Sequence, residues 1–260
     1  ITGKTKLMII NTPSNPTGAI FDEAILREIA DMAIEHDIWV LADEPYEHIL
    51  FDGHRHVSIG AMDGMAGRTI SAFTLSKSYA MTGGHVGYAV APKSIIDEME
   101  KLMEHMVSGV TAMAQRAALA AITGPQTCVE EMLKAYDRRR RIVYEGLNAI
   151  EGISCLMPAS TFYAFPNVEG LIKRLEGINN DLELAEYILE HAEVALVPGS
   201  AFGCPGYMRL SFATSMENLE EALRRLNDTN HLLGSVSALE NVRESIVRLE
   251  HEVGLEEETP

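Results

Sequence analysis

Residues 71–84, which read S-A-F-T-L-S-K-S-Y-A-M-T-G-G, are the most informative part of the chain for its fold. They complete an apolar and β-branched run from Thr69 to Leu75, which has the length and composition of a buried strand. Lys77 follows directly after the run ends. Open α/β sheets bind ligands at the carboxyl ends of their strands, and a half-buried lysine there can become a nucleophile. The alternative is a solvated lysine in a strand-to-helix turn.

The residues before this stretch have the pattern of a βαβ unit. Residues 6–11 form a short apolar run, as in a strand covered on both faces, and the prolines and glycine of residues 11–18 predict a loop. Asp22 is a candidate N-cap of a helix whose predicted apolar face contains Ile25, Ile29, Met32, Ala33 and His36. A second buried strand, residues 38–42, ends at Asp43. This order predicts neighbouring parallel strands.

The residues after it alternate between short strands and helices. A strand is predicted at 86–90 and helices at 92–107 and 111–123, and Gly124-Pro125 then interrupts the pattern. Apolar residues recur at helical spacing from Val129 to Ile150, which predicts a helix of about seven turns. Beyond it the sequence predicts strands at 161–165, 194–197 and 208–212 and helices at 181–191 and 216–226.

Composition limits the classes of partner. The formal net charge of −17 argues against nucleic acid and anionic membranes, since both attract cations. The three cysteines, Cys128, Cys155 and Cys204, lack the spacing of a metal site and predict reduced thiols in a cytoplasmic protein. His54 and His56 are expected to lie in a solvated polar loop, so no metal is predicted. The run Arg138 to Arg141 is expected to form a solvated helix face with intramolecular ion pairs.

Four motifs, taken in order, carry a resemblance to a known family. They are N-T-P-S-N-P-T-G at 11–18, D-E-P-Y at 43–46, S-K at 76–77 followed by M-T-G at 81–83, and Y-M-R-L-S-F at 207–212. Together they resemble the class I/II aminotransferases, which are pyridoxal-phosphate enzymes of fold type I. The resemblance covers Ile1 to about Leu226.

The resemblance implies a role for each matching residue. Lys77 would attach pyridoxal phosphate as a Schiff base and then act as general base and acid. Asp43 would pair with the pyridine nitrogen, and Tyr46 and Asn15 would hydrogen-bond the phenolic oxygen of the cofactor. Asn15 is also a candidate substrate contact. Without the family, Asp43 would be an ordinary helix cap, Asn15 an ordinary turn residue and Tyr46 a tyrosine at the edge of the core.

The phosphate and carboxylate contacts are also implied. Thr74 and Ser76 match the cofactor-binding hydroxyl residues before the lysine. Where the family has a bulky residue followed by arginine, this chain has Gly84-His85, so His85 is a candidate phosphate ligand with weaker bonding than arginine. Arg209 lies in a strand-like apolar run and matches the arginine that binds the substrate α-carboxylate, the alternative being a structural salt bridge.

The predicted architecture is an α/β fold with a mostly parallel sheet flanked by helices and an α+β small domain. Residues 1–125 are assigned to the cofactor-binding domain, 126–230 to the linking helix and small domain, and 231–260 to an extra helix and acidic tail. Family members have about a further third of chain before the equivalent of Ile1, so the large domain is expected to be N-terminally incomplete. The resemblance also implies a homodimer with amino-acid and 2-oxo-acid substrates.

Two other functions remain open from the sequence. The same cofactor serves a β-lyase, and some transcriptional regulators contain an aminotransferase-like domain that senses an effector without catalysis.

Overall fold

The computed structural model describes residues 1–231 of the 260, the last three of them by backbone alone. The chain forms two compact units. The first contains residues 1–15, 19–134 and 159–161, and the second contains residues 16–18, 135–158 and the described chain from 162 onward. The predicted domain boundaries stay a prediction, and all but the first residue of the predicted 231–260 extension lies outside the described residues.

The first unit is built on a four-stranded sheet in the order β1-β2-β3-β4. The strands are β1 (Leu7–Asn11), β2 (Trp39–Asp43), β3 (Thr69–Thr74) and β4 (Gly87–Val90). The first three are mutually parallel and β4 is antiparallel to β3. Asn11 is therefore paired with Asp43 across β1 and β2, and Asp43 is paired with Ala72 across β2 and β3.

The helices of the first unit follow the predicted positions closely. They are α1 (Glu23–Glu35), α2 (Leu75–Ser78), α3 (Lys93–Val107) and α4 (Ala112–Thr123), and 3-10 turns occur at Ile59–Ala61 and Thr82–Gly84. Asp22 caps α1 by accepting a hydrogen bond from the Ile25 amide at 2.8 Å, as predicted.

The buried face of α1 differs from the predicted one. It is formed by Leu26, Ala30 and Ala33, whereas Ile25 and Met32 are exposed. Small side chains bring α1 close to the core that contains Val40 of β2. The apolar pattern therefore predicted the helix correctly and its face only in part. Ala33 is buried and Ile29 packs against the core as predicted, whereas His36 is exposed like Ile25 and Met32.

The second unit combines a small antiparallel sheet with helices. Its elements are the long helix α5 (Thr127–Ala149), which belongs to this unit from Ala135, then β5 (Tyr163–Ala164), α6 (Glu169–Ile172), α7 (Asp181–Ala192), β6 (Val197–Pro198), a 3-10 turn (Gly199–Phe202), β7 (Met208–Ser211) and α8 (Met216–His231). The strand order is β5-β7-β6 and both pairings are antiparallel. The mostly parallel sheet and this α+β unit confirm the predicted fold class.

The basic run on α5 is not a uniformly solvated face. Arg140 is only 1% exposed, and its guanidinium donates to Asp137 Oδ1 at 2.5 and 2.8 Å and to the Pro158 carbonyl at 2.8 Å. Arg141 also donates to Asp137, at 3.2 Å. The predicted ion pairs are present, but one arginine is buried because it satisfies both a carboxylate and a carbonyl.

No helix in the described part of the chain is both long and apolar enough to cross a membrane.

Candidate active site

Three polar side chains lie at the carboxyl ends of the three parallel strands. Asn11 is the last residue of β1, Asp43 the last of β2 and Thr74 the last of β3. Parallel strands end at the same edge of a sheet, where open α/β folds place their ligand sites. Lys77 lies three residues beyond β3, in the short helix α2.

The connection from β3 to α2 fixes the backbone around Lys77. The hydroxyl of Thr74 accepts a hydrogen bond from the Ser76 amide at 3.2 Å, and it donates to the Val86 carbonyl at 3.5 Å. Lys77 is half-buried. Within residues 1–228 its amine makes no hydrogen bond or ion pair, so it is available to a ligand.

Asp43 has a neutral hydrogen-bond donor and no cation within the same residues. Its Oδ2 accepts a hydrogen bond from Asn11 Nδ2 at 2.9 Å. Desolvation by the surrounding atoms raises the pKa of the Asp43 carboxyl, the Asn11 amide lowers it and the charge of Glu44 raises it. A cationic ligand group beside Asp43 would lower this pKa by stabilising the carboxylate.

Asn15 and Tyr46 belong to the same unit. The amide N–H of Asn15 donates to Asn11 Oδ1 at 2.7 Å, so one asparagine connects Asn15 with Asp43. Tyr46 is only 2% exposed, and its carbonyl accepts a hydrogen bond from the Ile49 amide at 2.9 Å. Asn11 was not among the predicted site residues, although its place at the end of a predicted strand was the available signal.

His85, the candidate phosphate ligand, ends the 3-10 turn after α2. His85 is exposed, and its backbone has φ 45°, in the left-handed region, where histidine is among the more frequent residues other than glycine. His85 thus lies in the loop between α2 and β4, on the same connection as Lys77.

Arg209 belongs to the second unit and is held by aromatic rings. Its guanidinium carbon lies 4.5 Å from the centroid of the Tyr163 ring and 5.0 Å from that of Phe202. Such cation–π contacts orient a guanidinium without neutralising it. Arg209 is half-buried, and the two rings restrict the orientation of its guanidinium.

The structure corrects the prediction for one of the two loop histidines. His54 is exposed as expected, but the side chain of His56 is only 10% exposed and its Nε2 is paired with Glu44 Oε2. Ser58 Oγ donates to the other carboxylate oxygen of Glu44 at 2.8 Å. His56 and Ser58 can be buried in this polar loop because Glu44, which is distant in sequence, satisfies their hydrogen bonds.

The described residues contain no cluster of three or more histidine, cysteine or carboxylate side chains able to hold a metal ion. They do fit pyridoxal phosphate in the chemistry of their donors and acceptors. Lys77 offers an amine, Thr74, Ser76 and His85 offer donors for a phosphate, and Asp43 offers a carboxylate that lacks a cation.

Comparisons with known proteins identify the same family that the sequence motifs resemble. The family model of aminotransferase class I and II matches residues 1–226. The aspartate aminotransferase of Rhizobium meliloti is 40% identical over 233 residues, which are 87% of this chain and 57% of that protein. The aspartate/prephenate aminotransferase of Nitrosomonas europaea is 42% identical over 233 residues, which are 87% and 59% of the two chains. The chain thus spans less than three fifths of the length of these relatives.

Solved structures give the same result. The crystal structure of the Rhizobium meliloti aspartate aminotransferase matches with a TM-score of 0.86 and 38% identity, over 90% of this chain and 60% of that one. The aromatic aminotransferase of Pyrococcus horikoshii matches with a TM-score of 0.82 and 42% identity, over 88% and 60% of the two chains. The match to the family model over most of the chain, together with these relatives, shows that this chain belongs to the aminotransferase class I and II family.

Proposed function

We propose that this protein is a pyridoxal-phosphate-dependent aminotransferase that moves an amino group between an amino acid and a 2-oxo acid. The observation that carries the proposal is the half-buried amine of Lys77, which follows β3 directly, while the carboxylate of Asp43 ends the adjacent strand β2. The names of the most similar relatives support the aspartate-aminotransferase-like branch.

Each residue of the first unit has a defined task in this proposal. Pyridoxal phosphate, when bound, supplies an electron sink for the charge that develops at the substrate α-carbon. Asp43 would keep the proton on the ring nitrogen, and Asn15 and Tyr46 would donate hydrogen bonds to the phenolic oxygen. The hydroxyl of Ser76 and the ring of His85 would donate to the phosphate, and the Thr74 hydroxyl would do so in place of its 3.5 Å bond to the Val86 carbonyl. His85 provides at most one charge-assisted bond at a time.

Lys77 would be both the attachment residue and the proton carrier. Its amine lacks a partner within the described residues, so no internal ion pair must be broken before it reacts. Once the amino group of the substrate has displaced it, the neutral amine of Lys77 would remove the proton from the substrate α-carbon and deliver it to C4′ of the cofactor.

Arg209 would bind the α-carboxylate of the substrate. A guanidinium can form two parallel hydrogen bonds with a carboxylate, and the faces of Tyr163 and Phe202 limit the orientations that it can adopt. The cation–π contacts with the two rings use the face of the guanidinium and not its N–H groups.

The primary experiment is an absorbance titration with pyridoxal phosphate, followed by removal of the excess. We expect a visible band that titrates with pH and is absent in Lys77→Ala. Lys93→Ala is the matched control, because Lys93 is an exposed lysine that pairs with Asp97 on α3. Retention of the band in Lys77→Ala, or its absence in the parent protein, would refute the proposal.

Turnover separates this function from the alternatives. A transferase converts aspartate with a 2-oxo acid into a new amino acid, whereas a β-lyase releases ammonia and a sensor domain binds without turnover. Arg209→Lys should raise KM for the amino acid about tenfold or more through loss of the two-bond geometry. Arg139→Lys is the control, since Arg139 also lies over a tyrosine ring, that of Tyr136, at 5.8 Å.

We also infer a cytoplasmic homodimer. The family resemblance supports the dimer, and the three free thiols are those of a protein from a reducing compartment. Sedimentation of the cofactor-loaded protein tests the dimer, which a monomer mass at micromolar concentration would refute.

A further inference from the structure

Asn11, the last residue of β1, contacts two of the residues expected to bind the cofactor ring, Asp43 and Asn15. Asn11 Nδ2 donates to Asp43 Oδ2 at 2.9 Å and to the Asp43 carbonyl at 3.1 Å. Asn11 Oδ1 accepts the amide N–H of Asn15 at 2.7 Å. The acceptor end and the donor end of a single amide are therefore both in use.

A purely structural role would be to join β1 and β2. The backbone already does this, because residues 7–11 pair in register with residues 39–43 and the Thr12 amide donates to the Asp43 carbonyl at 3.3 Å. The additional bond from Asn11 goes to the carboxylate, which takes no part in strand pairing. The bond to Asn15 closes the turn that follows β1.

We propose that Asn11 is a positioning residue of this site, whose amide fixes the Asp43 carboxylate and the Asn15 backbone relative to each other. The inference rests on the proposed function and goes beyond it. Two contacts to the cofactor ring, one from each of two motifs 28 residues apart (43 − 15), then depend on one side chain.

The electrostatic effect has a definite direction. Desolvation and the neighbouring charge of Glu44 both favour the protonated form of Asp43, and the N–H of Asn11 is the group that favours the carboxylate. A protonated Asp43 could not hold a proton on a ligand nitrogen. Removing the amide donor is therefore expected to raise the pKa of Asp43 and weaken cofactor binding.

The test uses two variants and a matched control. Asn11→Asp keeps an acceptor for the Asn15 amide but loses the donor to Asp43, and Asn11→Ala loses both contacts. Thr12→Val is the control, because the Thr12 hydroxyl accepts a hydrogen bond from the Phe21 amide at 3.0 Å in the same loop and makes no side-chain contact with Asp43. If Asn11→Asp fails to fold, Asn11→Ala still carries the test.

Two quantities are measured. The first is the titration of the Asp43 carboxyl carbon by NMR in cofactor-free protein, assigned with Asp43→Asn. The second is the dissociation constant of pyridoxal phosphate. We expect both Asn11 variants to raise the pKa of Asp43 and to weaken cofactor binding about tenfold, the effect of one hydrogen bond to a charged group. Thr12→Val should leave the pKa of Asp43 unchanged and alter the dissociation constant of pyridoxal phosphate by no more than about twofold.

An unchanged Asp43 titration in both Asn11 variants would overturn the inference. Equal weakening of cofactor binding by Thr12→Val would also overturn it, since Asn11 would then act only through loop stability. Failure of the parent protein to bind the cofactor would refute the proposed function instead, and the titration in cofactor-free protein would still decide whether Asn11 controls Asp43.

Discussion

Asp43 and Glu44 are adjacent in sequence and differ in almost every structural respect. Successive residues of an extended chain point to opposite faces of a sheet. Asp43 is exposed and accepts one side-chain hydrogen bond, from Asn11. Glu44 is 1% exposed, and its two oxygens are paired with His56 and Ser58.

The difference shows how two adjacent carboxylates can serve different purposes, one available to a ligand and the other stabilising the fold. A carboxylate with spare acceptor capacity can take a ligand, whereas one enclosed by internal partners cannot be reached without disrupting the fold. Identical acidic groups therefore acquire opposite roles through burial and partners. This contrast can be tested by removing each carboxylate in turn.

The largest effect on stability is expected from Glu44→Ala. The change leaves His56 Nε2 and Ser58 Oγ without their buried acceptor and opens a cavity, so the free energy of unfolding should fall by about 3–5 kcal/mol. Urea denaturation measures the loss. A loss below about 1 kcal/mol would show that the contacts of Glu44 with His56 and Ser58 do not stabilise the fold, and Glu44 would then not differ from Asp43 in role.

The converse effect is expected from Asp43→Asn. Amino-transfer activity should fall at least about a hundredfold, which corresponds to about 2.7 kcal/mol in the activation barrier, because a neutral amide cannot hold a proton on the ring nitrogen. Stability should change by no more than about 0.5 kcal/mol, since the side chain is exposed. Steady-state kinetics and urea denaturation of the same preparation test the loss of activity and the unchanged stability. Full activity in the variant would contradict the role of Asp43 as the partner of the ring nitrogen.

A third carboxylate, Glu47, is intermediate between Asp43 and Glu44 in exposure. Its side chain is 12% exposed, and Oε2 is buried without a hydrogen-bond partner among the described residues. Burial raises the pKa of Glu47 to about 7; a hydrogen bond from its own backbone amide and the charge of His56 oppose the rise, and the charge of Glu44 adds to it. The folded state therefore binds this proton more tightly than the unfolded state, and stability is lost as pH rises from about 4.5 to about 7.

Glu47→Gln should remove this dependence. At pH 8 the variant is expected to be more stable than the parent protein by about 1–3 kcal/mol, and at pH 4.5 the two should be nearly equal. The measurement is urea denaturation at both pH values. A variant equally destabilised at both would show that Glu47 is satisfied as a carboxylate, like Glu44.

The sequence predicted those parts of the structure that local patterns determine. The strand before Lys77, the Asp22 cap and the helices on either side of Gly109 depend on apolar periodicity and on capping residues within a few positions. The family motifs then supplied roles for Lys77, Asp43 and Arg209, for which no local pattern would suffice.

What the sequence did not predict depends on partners that are distant along the chain. His56 looked solvated because its partner Glu44 lies 12 residues away, and Arg140 looked solvated because the Pro158 carbonyl lies 18 residues away. The role of Asn11 depends on Asp43, 32 residues away, and becomes visible only when the register of β1 and β2 is known. Hydropathy carries no information about such specific pairs.

The packing of Arg209 against Tyr163 has an experimental consequence. A guanidinium over a phenol ring imposes an electric field on the electronic transition of the ring, and a carboxylate that pairs with the guanidinium changes that field. The second unit therefore has an internal optical reporter. Near-ultraviolet difference spectra could follow the arrival of an amino or oxo acid without dye, isotope or turnover, with Tyr163→Phe as the blank.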